Sequence, residues 1–165
     1  MSKKINVSNI AIVTSTINVP YFLNDVAKNL KKYKIKSFKS YIIGDTKTPL
    51  SALNYCRQLS SKYNYDFDYL SIHEQYRRLR KYKKFLRFIP KNNNVRKMIG
   101  TMLAYIDGYQ KVIMIDDDNF PTKKNNFYKF HNNTSEIINS ISSYSSDTNW
   151  FNVGYTMNEK TNIPF

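Results

Sequence analysis

"IPKNNNVRKMIGTMLAYIDGYQKVIMIDDD", Ile89 to Asp118, carries a helix and a strand in one continuous run. Ile99, Met102, Leu103 and Ile106 recur at i, i+3, i+4 and i+7, the spacing of one helical face. Asn94 can cap the start of this Val95 to Gly108 helix, and Gly108 can end it. The apolar run Val112 to Ile115 then reads as a buried strand. It delivers Asp116, Asp117 and Asp118 to its carboxyl end, and Pro121 closes the segment.

The same grammar precedes it. "NIAIVTSTI", Asn9 to Ile17, is a β-branched run bounded by polar residues. After Pro20, the residues Phe22, Leu23, Val26, Ala27 and Leu30 fall at helical spacing, and "KSYIIGD", Lys39 to Asp45, gives a second strand. The order β-α-β implies a parallel sheet in a layered α/β fold. "TKTP" makes a loop. A third strand is expected within Tyr65 to Ile72, followed by one strongly basic helix through Tyr76, Leu79, Tyr82 or Lys83, and Leu86. Farther on, a short helix near Glu136 and a strand over Thr148 to Thr156 are expected.

Composition narrows the class. With 165 residues the chain is about one domain long, and residues 1–165 are read as a single domain. Its 41% hydrophobic and 15% aromatic content is that of a folding sequence, not a disordered one. Cys56 is the lone cysteine, which excludes an intramolecular disulfide or a multi-cysteine metal site. No signal peptide and no membrane-spanning run can be read, so a cytoplasmic location is expected. The balance of 26 Lys and Arg against 12 Asp and Glu, net +14, predicts anionic partners.

Three aspartates are therefore conspicuous. In an open α/β sheet, ligands bind in the crevice outside the carboxyl ends of the strands. Crowded carboxylates there repel and need a cation or solvent; a solvated acidic turn would meet the need, while hard oxygen donors suit Mg²⁺ or Mn²⁺, whose remaining positions come from phosphate and water. Asp116 and Asp118 form a D-x-D pair; in an extended segment both side chains leave on one side. A calcium loop is excluded, because Phe120 and Pro121 stand at its fifth and sixth places.

Arg96 and Lys97 stand in the first turn of the helix, where cations oppose the helix dipole, so an anion is expected to compensate. Gly100 implies close approach of a ligand or a strand to the helix backbone. Thr14 and Thr16 at one strand end and Asp45 at the next fall on the same sheet edge as the aspartates. In the basic run Arg77 to Lys97, the interleaved Tyr76, Tyr82, Phe85 and Phe88 are expected to face the core. Nucleic acid is accordingly not the expected partner.

"FIPKNNNVRKMIGTMLAYIDGYQKVIMIDDDNFP", with "IAIVTSTI" and "IIGDTKTP" upstream, resembles the core of the reversibly glycosylated polypeptide and STELLO-type (DUF288) group of GT-A glycosyltransferase-like proteins. The resemblance implies a GT-A, Rossmann-like fold with a mixed, mainly parallel sheet flanked by helices. It also implies a metal-dependent glycosyltransferase that binds a nucleotide-diphosphate sugar, a UDP-sugar being the expected donor, and acts on an unknown acceptor. Carried over, Asp116 faces the ribose or the metal, and Asp118 holds Mn²⁺ or Mg²⁺ against the diphosphate. Arg96 and Lys97 lie near the nucleotide, and Thr14, Thr16 and Asp45 line its base and ribose side. No catalytic base is assigned. Members of the group continue past the point matching Phe165, so the resemblance implies a C-terminally truncated version of the fold. A nucleotide-sugar mutase of the UDP-arabinopyranose type and a basic nucleic-acid-binding module are the alternatives.

Overall fold

Two strands that are buried along nearly their whole length, with a part-exposed strand on either side of them, account for the architecture. The computed structural model describes residues 10–132, all within one compact unit. The strands are β1 (Ile10–Thr16), β2 (Lys39–Gly44), β3 (Asp66–Leu70) and β4 (Lys111–Met114). They form a sheet of order β3-β2-β1-β4, and every pairing is parallel. An antiparallel strand, as a mixed sheet would require, is not among the described residues.

Helices cover both faces, which is why the strands read as continuous apolar runs. On one face, α1 (Phe22–Lys32) and α2 (Ser51–Tyr63) pack against Ile12, Ile42 and Phe67. On the other lie α3 (Ile72–Arg78), a 3₁₀ turn (Arg80–Tyr82), α4 (Lys83–Phe88) and α5 (Lys97–Ile106). Leu79, Leu86, Ile99 and Leu103 from this second layer meet Ala11, Val13, Tyr41 and Ile43. A short helix, α6 (Phe127–Asn132), follows the aspartates, and Phe127 and Tyr128 pack on the first core. Among the described residues no helix is long and apolar enough to cross a membrane.

Chain order now places the site. From β1 the chain steps through α1, β2 and α2 to β3, always in one direction. It then returns over the opposite face and adds β4 on the other side of β1. The direction of winding reverses between β1 and β4, and such reversal points open a crevice at the carboxyl ends of the strands.

Several expectations change. Helix α2 was not read from the sequence, although Ala52, Cys56 and Leu59 bury at i, i+4 and i+7. The single basic helix is broken into three short pieces, and Tyr76, Tyr82 and Phe88 are exposed rather than turned to the core. Asn93, not Asn94, caps the next element, accepting the Val95 N–H at 2.9 Å. That element opens as a 3₁₀ turn (Asn94–Arg96) before α5 begins. Gly108, at φ +87°, ends α5 as expected. The elements expected near Glu136 and over Thr148 to Thr156 lie outside the described residues.

Candidate metal and nucleotide site

At the carboxyl ends of β1 and β4 lies a cavity of about 290 Å³. Ser15, Thr16 and Ile17 line it from β1, Asp45 from the end of β2, Asn92 to Asn94 from the loop before α5, and all three aspartates from the far side. Apart from Ile17, each lining side chain carries a hydroxyl, amide or carboxylate group.

The aspartates are not extended. The Asn119 N–H donates to the Asp116 carbonyl at 3.2 Å, closing a turn over residues 116–119. An extended D-x-D would present Asp116 and Asp118 together and turn Asp117 away; the turn brings Asp117 to the cavity as well. The Thr16 hydroxyl and Asp117 Oδ2 are 2.6 Å apart, bridging the ends of β1 and β4. Asn119 Nδ2 donates to Asp118 Oδ1 at 3.2 Å. The exit of the turn is fastened to α1: Asn29 donates to the carbonyls of Thr122 and Asn125 and accepts the Phe127 N–H.

Two of the cavity's carboxylates are already matched by cations. Asp45 pairs with Arg96, whose Nε lies 3.5 Å from Asp45 Oδ2, and the two side chains are only 5% and 2% exposed. Each Asp45 oxygen also accepts a backbone N–H at 2.7 Å, from Thr46 and Asn92. Arg96 donates further to Gln75 Oε1, while Gln75 Nε2 donates to the carbonyls of Gly44 and Leu70. This buried relay ties the ends of β2 and β3 to the loop that walls the cavity.

Lys97 pairs with Asp116. Its ammonium, helped by Asn94, holds the Asp116 carboxyl below the usual carboxylate range. The anion expected to offset the two cations at the helix start is thus supplied by the protein's own Asp45 and Asp116. Asp117 and Asp118 remain with no lysine or arginine partner among the described residues.

The residues singled out in the sequence therefore separate. Thr16, Asp45, Asp116 and Asp118 line the cavity, and Lys97 reaches it through Asp116. Arg96, 1% exposed, stands behind the wall and braces it. Thr14 is fully buried inside β1, its hydroxyl directed to the Ser15 carbonyl at 3.4 Å; Ser15, on the other side of the pleat, lines the cavity instead. Gly100 accommodates strands, not a ligand: a Cβ there would meet Val13 Cγ1 at 2.5 Å.

Sequence reasoning missed Asp117, the asparagines and Gln75. The run "NNN" after a proline was a usable signal for a polar loop, since Asn92 adopts φ +52° and Asn94 Oδ1 accepts the Ser15 hydroxyl at 3.3 Å. Gln75 gave none. Beyond the turn a second cavity of about 440 Å³ shares Asp116 and is lined by Val26, Met114, Ile115, Phe120 and Phe127 among others.

Among the described residues no group of three or more His, Cys, Asp or Glu side chains forms a ready metal cage. Mg²⁺ and Mn²⁺ do not need one. They are commonly held by one or two carboxylates with phosphate and water completing the shell. Asp116, Asp117 and Asp118 supply carboxylate oxygens at the cavity, two of them without a lysine or arginine partner among the described residues. In comparisons with known proteins, no family model and no curated protein matches the chain.

Proposed function

We propose that the chain is a glycosyltransferase-like domain that binds a nucleotide-diphosphate sugar, with Mn²⁺ or Mg²⁺, in the crevice between β1 and β4. The sugar is then transferred to an acceptor. One observation carries this reading: an acidic cavity at the winding reversal, in which Asp117 and Asp118 have no lysine or arginine partner among the described residues, beside Asp116, which Lys97 pairs at the cavity edge. The resemblance of Ile89 to Pro121 to GT-A proteins points the same way.

Asp116 and Asp118 are the residues that would hold the cation, with Asp117 beside them. A bound divalent ion there would supply neutralisation of the diphosphate and Lewis-acid stabilisation of the departing group. The chain's own residues do the rest. Lys97 offers its ammonium to phosphate oxygens at the cavity edge. Thr16 holds Asp117, and the Arg96–Asp45–Gln75 relay keeps the Asn92 to Asn94 wall in register. The asparagine amides offer hydrogen bonds to ribose and sugar hydroxyls.

Thermal shift with UDP-, GDP- and CDP-sugars, each with and without Mn²⁺, tests the reading. A ligand that binds only the folded state stabilises it by mass action, about 2.7 kcal/mol at 100 times Kd. A rise in Tm that needs both UDP-sugar and Mn²⁺, and that disappears in Asp118→Ala, is expected. No shift with any sugar nucleotide in the presence of Mn²⁺ would refute it.

A further inference from the structure

Between Glu74 and Asp107 the chain has no acidic residue. Four cations of this stretch nevertheless find acids in the fold: Arg77 with Glu74, Arg78 with Asp68 and Asp107, Arg96 with Asp45, and Lys97 with Asp116. Arg80, Lys81, Lys83, Lys84, Arg87 and Lys91 do not. All six are exposed, and none has an acidic partner among the described residues. They follow one another through the 3₁₀ turn, α4 and the loop that leads to Asn92.

Aromatic side chains stand among them. Leu86 turns inward from α4, with Phe85 packed on the same core. Phe88 is 83% exposed and Tyr82 41%. Lys84, Arg87 and Phe88 share one side of the helix at i, i+3 and i+4. A phenyl ring standing free in water, ringed by cations and unopposed by any acid, gains nothing from solvent. It suits an interface that takes the ring at its apolar boundary and the cations at its anionic surface. Tyrosine belongs to the same boundary.

We infer that residues 80–91 form a peripheral docking surface for anionic membranes. Single-stranded nucleic acid, which also takes cations and aromatics, is bound in a charged groove that tracks its backbone. Here the cations lie on the outer side of short helical turns, and none lines either cavity at the sheet edge. Four of the six are lysines, point charges that suit diffuse attraction to a charged surface rather than forked recognition. Because Lys91 adjoins the Asn92 to Asn94 wall, docking sets the acidic cavity beside the lipid headgroups. The inference stands apart from the donor reading and holds whether or not sugar nucleotides bind.

Co-sedimentation of the full chain with phosphatidylcholine vesicles, with and without phosphatidylserine, is the test. Binding is expected only when phosphatidylserine is present, and it should weaken as ionic strength rises. Replacing Lys83, Lys84 and Arg87 together by Gln should lower affinity on the order of 100-fold. Phe88→Ser should lower it about tenfold or more. Melting curves verify the fold of each variant, and Arg80→Gln with Lys81→Gln serves as a second set should the first unfold. Equal binding to both vesicle types, no binding to either, or undiminished binding by folded charge variants overturns the inference. So does capture of single-stranded RNA by a chain that ignores phosphatidylserine, which would make the patch a nucleic-acid surface.

Discussion

Arg96 and Lys97 are neighbours in the chain, both pair with an aspartate from another element, and they end in opposite environments. The Arg96–Asp45 pair is largely buried, with side chains 2% and 5% exposed; Arg96 donates to Gln75 Oε1, and Asp45 accepts the Thr46 and Asn92 N–H groups. The Lys97–Asp116 pair sits at the cavity edge, with side chains 12% and 51% exposed. One turn of a helix thus holds a buried ion pair and a partly exposed one. The more exposed pair is open to water and ligands; the more buried one, with only the Asp45 edge at the cavity, braces the wall.

The largest expected effect comes from breaking the buried pair. Arg96→Met leaves the Asp45 charge buried without its cation and strips Gln75 Oε1 of a donor. Loss of one partner of a buried pair costs about 3 to 5 kcal/mol. Denaturant unfolding should register a loss of that size. The double variant Arg96→Met/Asp45→Asn should recover part of it, because no uncompensated charge remains. A single variant within about 0.5 kcal/mol of the parent would show that the two pairs do not differ in kind.

Gly100→Ala should have a middle effect on the scaffold that carries both pairs. The added Cβ would lie 2.5 Å from Val13 Cγ1 and 3.2 Å from Ile43, where α5 crosses β1 and β2. Overpacking of a tight core contact costs about 1 to 3 kcal/mol, more than the helix propensity gained on replacing glycine. The loss should appear as a lowered midpoint with an unchanged denaturant slope. An unchanged or raised midpoint would mean that helix and sheet can separate freely there.

The layout of the sheet was legible because its two central strands are apolar on both faces and the chain is punctuated by Gly44, Gly108 and polar ends. The place of the aspartate triplet at the sheet edge was legible because the order β-α-β sends strand ends to one edge. What could not be read were the partnerships. Nothing in "RK" says that Arg96 will be buried against Asp45 while Lys97 pairs with Asp116 at the cavity edge; successive residues of a helical turn point in different directions, and which one turns inward is set by the fold. Asp117 was passed over because an extended strand was assumed where the chain turns. Helix α2 escaped because only Ala52, Cys56 and Leu59 bury on it, too small a stripe to stand out among polar neighbours.

The partly exposed pair should give the smallest change in stability and the sharpest change in binding. Lys97→Met removes a partly exposed interaction, for which about 1 kcal/mol or less is expected. In the parent, the Lys97 ammonium lowers the Asp116 carboxyl. A lowered folded value means that this contribution is present above the unfolded value near 3.9 and disappears as pH falls through the folded one. In the variant the Asp116 titration, followed by NMR, should move back up toward the ordinary carboxylate range, and the acid limb of the stability profile should move with it. With the ammonium gone, Asp116 joins Asp117 and Asp118 as a third unneutralised carboxylate, so Mn²⁺ alone should bind more tightly. A nucleotide diphosphate, having lost a cation, should bind less tightly. Opposite signs for the two ligands are what an exchangeable lysine predicts. If both affinities fall together, Lys97 is bracing the turn as Arg96 braces the wall, and the contrast between the neighbours is only one of depth.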